Sequence, residues 1–256
     1  MKNYNKLLIG VLSLTVITCG GDPGNSTSGL AGSTIFNETF TGTNNDAWPN
    51  SWTTVSSGAT LSVDIQNNRG RLQSNAYDNS LRTSALTRVI NNSVNLKNSD
   101  VVFTVEFENF ANQGIGFYAR QNGGYLTALA TNGQGYGVYW QGNTTPEFDI
   151  RYELNGVESV IAAVGDPLGV GQVVLDNTAY KIRFKITQIN ANSNTELSAK
   201  VWLASDSEPA TWNIKTSSSI NGLQDISGGF AVDAFNYSGI TTGSDSIYID
   251  DIIISN

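Results

Sequence analysis

Histidine is absent from this 256-residue chain. That removes the side chain most often used as a general base near neutral pH, and the commonest metal ligand. A nucleophilic triad in its Ser–His or Cys–His form is thereby excluded, and a zinc or copper site is not expected. Cysteine occurs once, at Cys19, so no intrachain disulfide forms. Charged residues make up only 14%, which leaves Asn, Ser, Thr and Gly to cover much of the surface. Cations are the scarcer sign, 14 Lys and Arg against 22 Asp and Glu, for a formal net charge of -8. Nucleic acid and anionic membrane surfaces demand a basic patch, so neither is expected as a partner. No segment sustains the apolar period of an amphipathic helix. The long uncharged apolar run, Leu7 to Ile17, is too short to span a bilayer.

That run follows Lys2 and Lys6, an order that fits a secretory signal peptide. It ends at Val16-Ile17-Thr18-Cys19 before Gly20-Gly21, a junction that resembles the bacterial lipobox, with Thr18 where Gly, Ala or Ser is usual. The resemblance implies that residues 1–18 are removed and that Cys19 is lipidated. The alternative is an ordinary secretory signal with an incidental cysteine. Residues 19–33, built mostly from Gly, Ser, Thr, Asn and Pro, read as a flexible tether. The expected address is the bacterial cell envelope, at the outer membrane or cell surface, with membrane contact through the lipid anchor only.

From residue 34 to 256 the chain is a succession of short apolar or alternating runs, separated by Asn, Gly and Ser. In Tyr180-Lys181-Ile182-Arg183-Phe184-Lys185-Ile186 the apolar residues hold one face and the cations the other. Asn155-Gly156 joins two such runs like a two-residue hairpin turn. The pattern predicts one all-β domain, a two-sheet antiparallel jelly-roll sandwich. Its closing run, Ser246 to Ser255, is apolar on both faces and predicts a central strand. Strict alternation puts Ile247, Ile249, Asp251 and Ile253 on one face, and Tyr248, Asp250, Ile252 and Ile254 on the other. Each face then carries a carboxylate, and a buried one needs a cation, an arginine or backbone donors.

Three stretches carry a resemblance. Gly116-Phe117-Tyr118-Ala119-Arg120 with Gly124-Tyr125 is similar to a strand pair of concanavalin A-like (laminin G-like) jelly rolls. So is the series from Tyr180 through Lys200-Val201-Trp202 to Glu208-Pro209-Ala210-Thr211-Trp212, and so is the ending Tyr248-Ile249-Asp250-Asp251-Ile252. In that family the chain ends lie together. This implies a structural Ca²⁺ held by Glu38 of the opening strand and Asp250 or Asp251 of the closing one, with carbonyls and water completing the shell. The alternative is one Asp on backbone N–H groups and the other in water.

Glucanases of the family carry a Glu-x-Asp-x-(x)-Glu row on one strand of the concave sheet. Glu106-Phe107-Glu108 is the nearest approach and lacks the middle Asp and the third Glu. Asp149, Arg151 and Glu153 share another face and read as a salt-bridged row. The residues argue against catalysis. Sugar binding needs less, a flat aromatic ring and a few polar partners. The candidates are Arg120, Tyr125, Tyr136, Tyr139, Trp140 and Trp202; the alternative for each ring is packing in the core or at its ends, the role expected of Trp52 and Trp212. The expected function is that of a lipid-anchored envelope module that binds polysaccharide or surface glycan without cleaving it. A protein-binding adhesin or structural lipoprotein, or a polysaccharide hydrolase or lyase of the same fold, is the alternative.

Overall fold

The structure is a computed structural model that describes residues 32–56, 61–74, 86–125, 131–142, 146–191, 193–236 and 245–256. Cys19, the signal sequence and nearly all of the tether lie outside the described residues. Alternation broken by Asn and Gly gives strands almost throughout. They are β1 (Thr34–Glu38), β2 (Trp52–Ser56), β3 (Leu61–Gln66), β4 (Arg69–Ser74), β5 (Leu86–Leu96) and β6 (Ser99–Phe107). After a 3₁₀ turn (Phe110–Asn112) come β7 (Gln113–Gln121), β8 (Gly135–Gln141), β9 (Glu147–Leu154) and β10 (Val157–Val164). The last five are β11 (Ala179–Asn190), β12 (Asn194–Leu203), β13 (Ile214–Ser218), β14 (Gly228–Asn236) and β15 (Ser246–Ser255).

Two sheets result, one in the order β13-β12-β11-β6-β15-β4-β3 with β1 also on β15, the other β10-β9-β8-β7-β14-β5-β2. Every pairing is antiparallel. Between them lies an aromatic-rich core, in which the Phe117 ring stacks between Phe103 at 5.4 Å and Phe230 at 5.6 Å. Trp52 packs there beside Trp48 and Phe40, as expected.

The closing strand β15 is central, bonded to β6 on one side and to both β4 and β1 on the other. Its face assignment departs from strict alternation. Asp251 adopts φ +49°, and the register with β6 slips between Asp250 and Ile253. This bulge inserts one residue and reverses parity beyond it. Ile247, Ile249, Ile252 and Ile254 therefore all enter the core, while Asp251 is exposed. The bulge removes one of the two carboxylates from the sandwich altogether. Ser33 Oγ donates to Asn256 Oδ1, so the first and last described segments meet.

Candidate functional site

The outward side chains of the seven-stranded sheet come from β2, β5, β14, β7, β8, β9 and β10. Four glycines, Gly114, Gly116, Gly135 and Gly137, alternate with core residues on β7 and β8 and leave that face without side chains. Rings fill the space. A Cβ on Gly137 would lie 2.8 Å from the Tyr118 ring, and one on Gly116 would lie 2.6 Å from the Tyr139 ring. Over these flat rings sit guanidinium groups, Arg88 at 4.7 Å from the Tyr118 centroid and Arg151 at 4.5 Å from that of Tyr139.

Carboxylates complete the layer. Arg88 donates to both oxygens of Asp233 at 2.7 Å and to Glu153 at 2.6 Å. Tyr139 donates its hydroxyl to Asp233 at 2.6 Å, and Tyr118 donates to Glu158 at 2.5 Å. Arg151 grips Asp149 through two 2.7 Å bonds. Burial alone would discharge Arg88, but Asp233 and Glu153 outweigh it and hold the guanidinium charged well above its ordinary range. Burial, reinforced by the neighbouring carboxylates, pushes both tyrosine hydroxyls up, so they stay protonated donors.

The acidic row on this face is that of β9, reading Glu147, Asp149, Arg151, Glu153, and not Glu106-Phe107-Glu108. Glu106 and Glu108 lie on the outer side of the other sheet. There Arg69 pairs with Glu106 at 2.7 Å, and Ser246 N and the Tyr248 hydroxyl donate to Glu108. On β9 arginines hold Asp149 and Glu153, which are fully buried like Asp233 of β14, whereas Glu147 accepts from Gln141 and is only partly buried. A nucleophile and a proton donor need a reachable oxygen. Among the described residues, the partly exposed carboxylates of this face are Glu147 and Glu158, the latter accepting from the Tyr118 and Tyr139 hydroxyls.

Five of the six candidate sugar-binding residues belong to the interior, contrary to their expected place on a contact surface. Tyr139 is sealed in the layer above, and Tyr125 is buried with Arg88 at 5.3 Å from its ring. Trp140 is fully buried among Phe107, Phe110 and Tyr180, because β8 turns even-numbered residues inward. Tyr136 and Arg120 serve a polar network at one end of the sandwich. Tyr136 donates to Ser218 Oγ and accepts from Gln224, while Arg120 donates to the carbonyls of Lys97 and Leu223 and to Thr195. Arg120 reaches that far because it is a bulge residue with φ +58°, which turns it off the outer face.

Trp202 is the exception. It lines a cleft of about 530 Å³ between the β10–β11 connection and the β12–β13 connection. Asp166, Gln172, Asp206, Thr211 and Asn213 supply polar groups to the walls, and Tyr180, Pro167, Leu168 and Leu203 apolar ones. Asn213 fixes both walls, since its Nδ2 donates to Pro167 O at 2.6 Å and its Oδ1 accepts from Val201 N at 2.9 Å. The β12–β13 connection is clamped from behind. Glu208 accepts from Arg183 and Lys200, Lys200 donates to Pro209 O, and Trp212 lies over both cations. Trp212 thus packs outside the sheet and holds the loop. The indole N–H groups of Trp48 and Trp52 go to Asp64 O and Glu38; that of Trp202 has no acceptor among the described residues. The cleft residues carry no motif, and the one sequence signal for them was the aromatic-rich stretch from Trp202 to Trp212.

A calcium is expected between Glu38 and either Asp250 or Asp251, and the Glu38 charge does reach Asp250. Glu38 is occupied by Phe40 N at 3.0 Å and by the Trp52 indole at 3.4 Å. Asp251 is turned to solvent by the bulge, and among the described residues no three metal-ligating side chains form a cluster. Asp250 alone keeps an unusual environment. Its Oδ1 is buried without a partner, and burial pushes its carboxyl up to about 6.

No protein-family model matches the chain, and no curated protein does. Solved structures do. A Bacillus licheniformis beta-glucanase superposes with TM-score 0.55 at 12% identity, over 89% of this chain and 100% of its own. The catalytic domain of an endo-1,3-beta-glucanase (laminarinase) from Thermotoga petrophila gives 0.56 at 10%, over 88% and 98%. A lichenase from a mouse hindgut metagenome gives 0.51 at 10%, over 86% and 98%. At such identities the likeness is one of fold, and the chain folds as a concanavalin A-like jelly-roll sandwich.

Proposed function

We propose that the protein is a carbohydrate-binding module that does not cleave its ligand, and that the saccharide seats in the Trp202 cleft. The observation that carries this reading is the cleft itself. An indole whose N–H has no acceptor among the described residues stands beside amide, hydroxyl and carboxylate groups, the mixture that orients a pyranose and its hydroxyls. The fold is shared with proteins named as beta-glucanases, which supports a saccharide as ligand. The row on β9 speaks against hydrolysis, because Arg151 stands where a third carboxylate would be needed and binds Asp149. A panel of soluble polysaccharides in affinity electrophoresis, with reducing ends assayed in parallel, tests the reading. Retardation by at least one glycan without new reducing ends is expected; reducing-end release moves the protein to the hydrolases.

Anchoring through Cys19 at the cell envelope is part of the same proposal, resting on the sequence junction alone. Replacing Cys19 with Ala should release the protein from the detergent phase, and unchanged partitioning would refute it. A calcium ion is likewise proposed, with Asp250 as its one carboxylate. Its unpartnered oxygen supports that ligand, and calcium should raise the melting temperature over that in EDTA by mass action.

A further inference from the structure

The ionisable groups that line the Trp202 cleft have one sign. Asp166 and Asp206 are both exposed at its walls, and neither lysine nor arginine lines it. The nearest cations are already engaged. Arg183 and Lys200 share Glu208 behind the β12–β13 connection, and Lys200 Nζ also lies 5.9 Å from the Trp202 ring centroid. Trp202 adds a second, independent feature. It is only 7% exposed, lines the cleft, and its indole N–H has no acceptor among the described residues. An indole donates a hydrogen bond from its edge. The whole chain adds a background field of the same sign, with its net charge of -8.

Resting on the saccharide reading of this cleft, we infer that its ligand is an amino sugar bearing a free ammonium group, and that uronic acids are rejected. The ammonium meets Asp166 and Asp206, a ring hydroxyl accepts from the Trp202 indole N–H, and the Gln172 amide and Thr211 hydroxyl serve the other hydroxyls. A uronate carboxylate would face two like charges with no cation to receive it. Discrimination of this kind comes as much from the repulsion as from the attraction.

Calorimetry separates this inference from the reading beneath it. Three oligosaccharides of matched length are titrated into the full chain at low salt and in 0.5 M NaCl, made of glucosamine, of N-acetylglucosamine and of galacturonic acid. The glucosamine oligomer should bind about tenfold or more tightly than its N-acetylated counterpart, and salt should shrink that advantage. The galacturonic acid oligomer should not bind. Asp166→Asn with Asp206→Asn should abolish the advantage. Glu196→Gln with Asp251→Asn, the same change in formal charge at exposed sites outside the cleft, should keep it and so exclude mere attraction to an acidic protein. Equal affinity for the amine and its N-acetyl form, binding of the uronic acid oligomer, or an advantage that survives in the cleft double variant overturns the inference while leaving a saccharide site standing. Failure of every saccharide, neutral ones included, overturns both.

Discussion

At the scale of single residues, Asp250 shows how burial becomes a measurable pH dependence. Its carboxyl is raised from 3.8 to about 6, first by burial and then by the nearby charge of Asp251. Between those values the folded protein holds a proton that the unfolded chain has lost. The sign follows from linkage: this group's contribution to stability falls as pH rises from about 4 to about 6. Glu208 behaves oppositely. Burial works to raise it, but hydrogen bonds from Lys200 and Arg183 prevail and lower it, so its contribution is lost only as pH falls below the ordinary carboxylate range. Urea midpoints measured in EDTA should therefore decline from pH 4.5 to pH 6.5, and Asp250→Asn should flatten the decline. An unchanged slope in that variant would place the titration elsewhere. A second residue-scale test concerns Gly137, whose missing Cβ leaves room for the Tyr118 ring. Gly137→Ala should cost roughly 1–3 kcal/mol through overpacking. A neutral effect in equilibrium unfolding would mean that the ring layer yields.

At the scale of elements, β15 illustrates what a sequence does and does not disclose. Its centrality was legible because isoleucines occupy both faces of the run, a pattern that only a strand covered on both sides satisfies. The bulge was not legible, since one residue in a left-handed conformation is set by its neighbours' pairing and leaves no periodic trace. That one residue decided which isoleucines enter the core and turned Asp251, one of the two aspartates offered for calcium, to solvent. Arg120 was misplaced for the same reason, and Trp140 and Tyr136 because an aromatic on a Gly-rich strand looks alike whether its ring faces core or solvent. The arginine–carboxylate layer of β5, β9 and β14 was legible in part, as the Asp149–Arg151–Glu153 row, but its long-range partners Arg88 and Asp233 were not. Removing Arg88 strands Asp233 and Glu153 without their cation, both fully buried. Arg88→Met is therefore expected to cost about 3–5 kcal/mol. A loss below about 1 kcal/mol in denaturant titration would show that water reaches the layer.

At the scale of the whole molecule, the two sheets use their outer faces differently. The seven-stranded sheet covers much of its face with rings laid on glycines and with the buried layer of Arg88, Asp233, Glu153, Asp149 and Arg151. The eight-stranded sheet uses Arg183 and Lys200 to hold a connecting loop, and that loop forms one wall of the open cleft. The proposed recognition site lies in that cleft, while Asp149, Glu153 and Asp233 on the other sheet are buried under arginines. The N–H resonance of the Trp202 indole tests this assignment most directly. Among the five tryptophans of the chain, its signal is identified by its loss in Trp202→Phe. During titration with a retained oligosaccharide, the Trp202 signal should shift saturably while those of Trp140 and Trp52 stay fixed. A saturable shift at Trp140 or Trp52 with Trp202 unmoved would contradict the account.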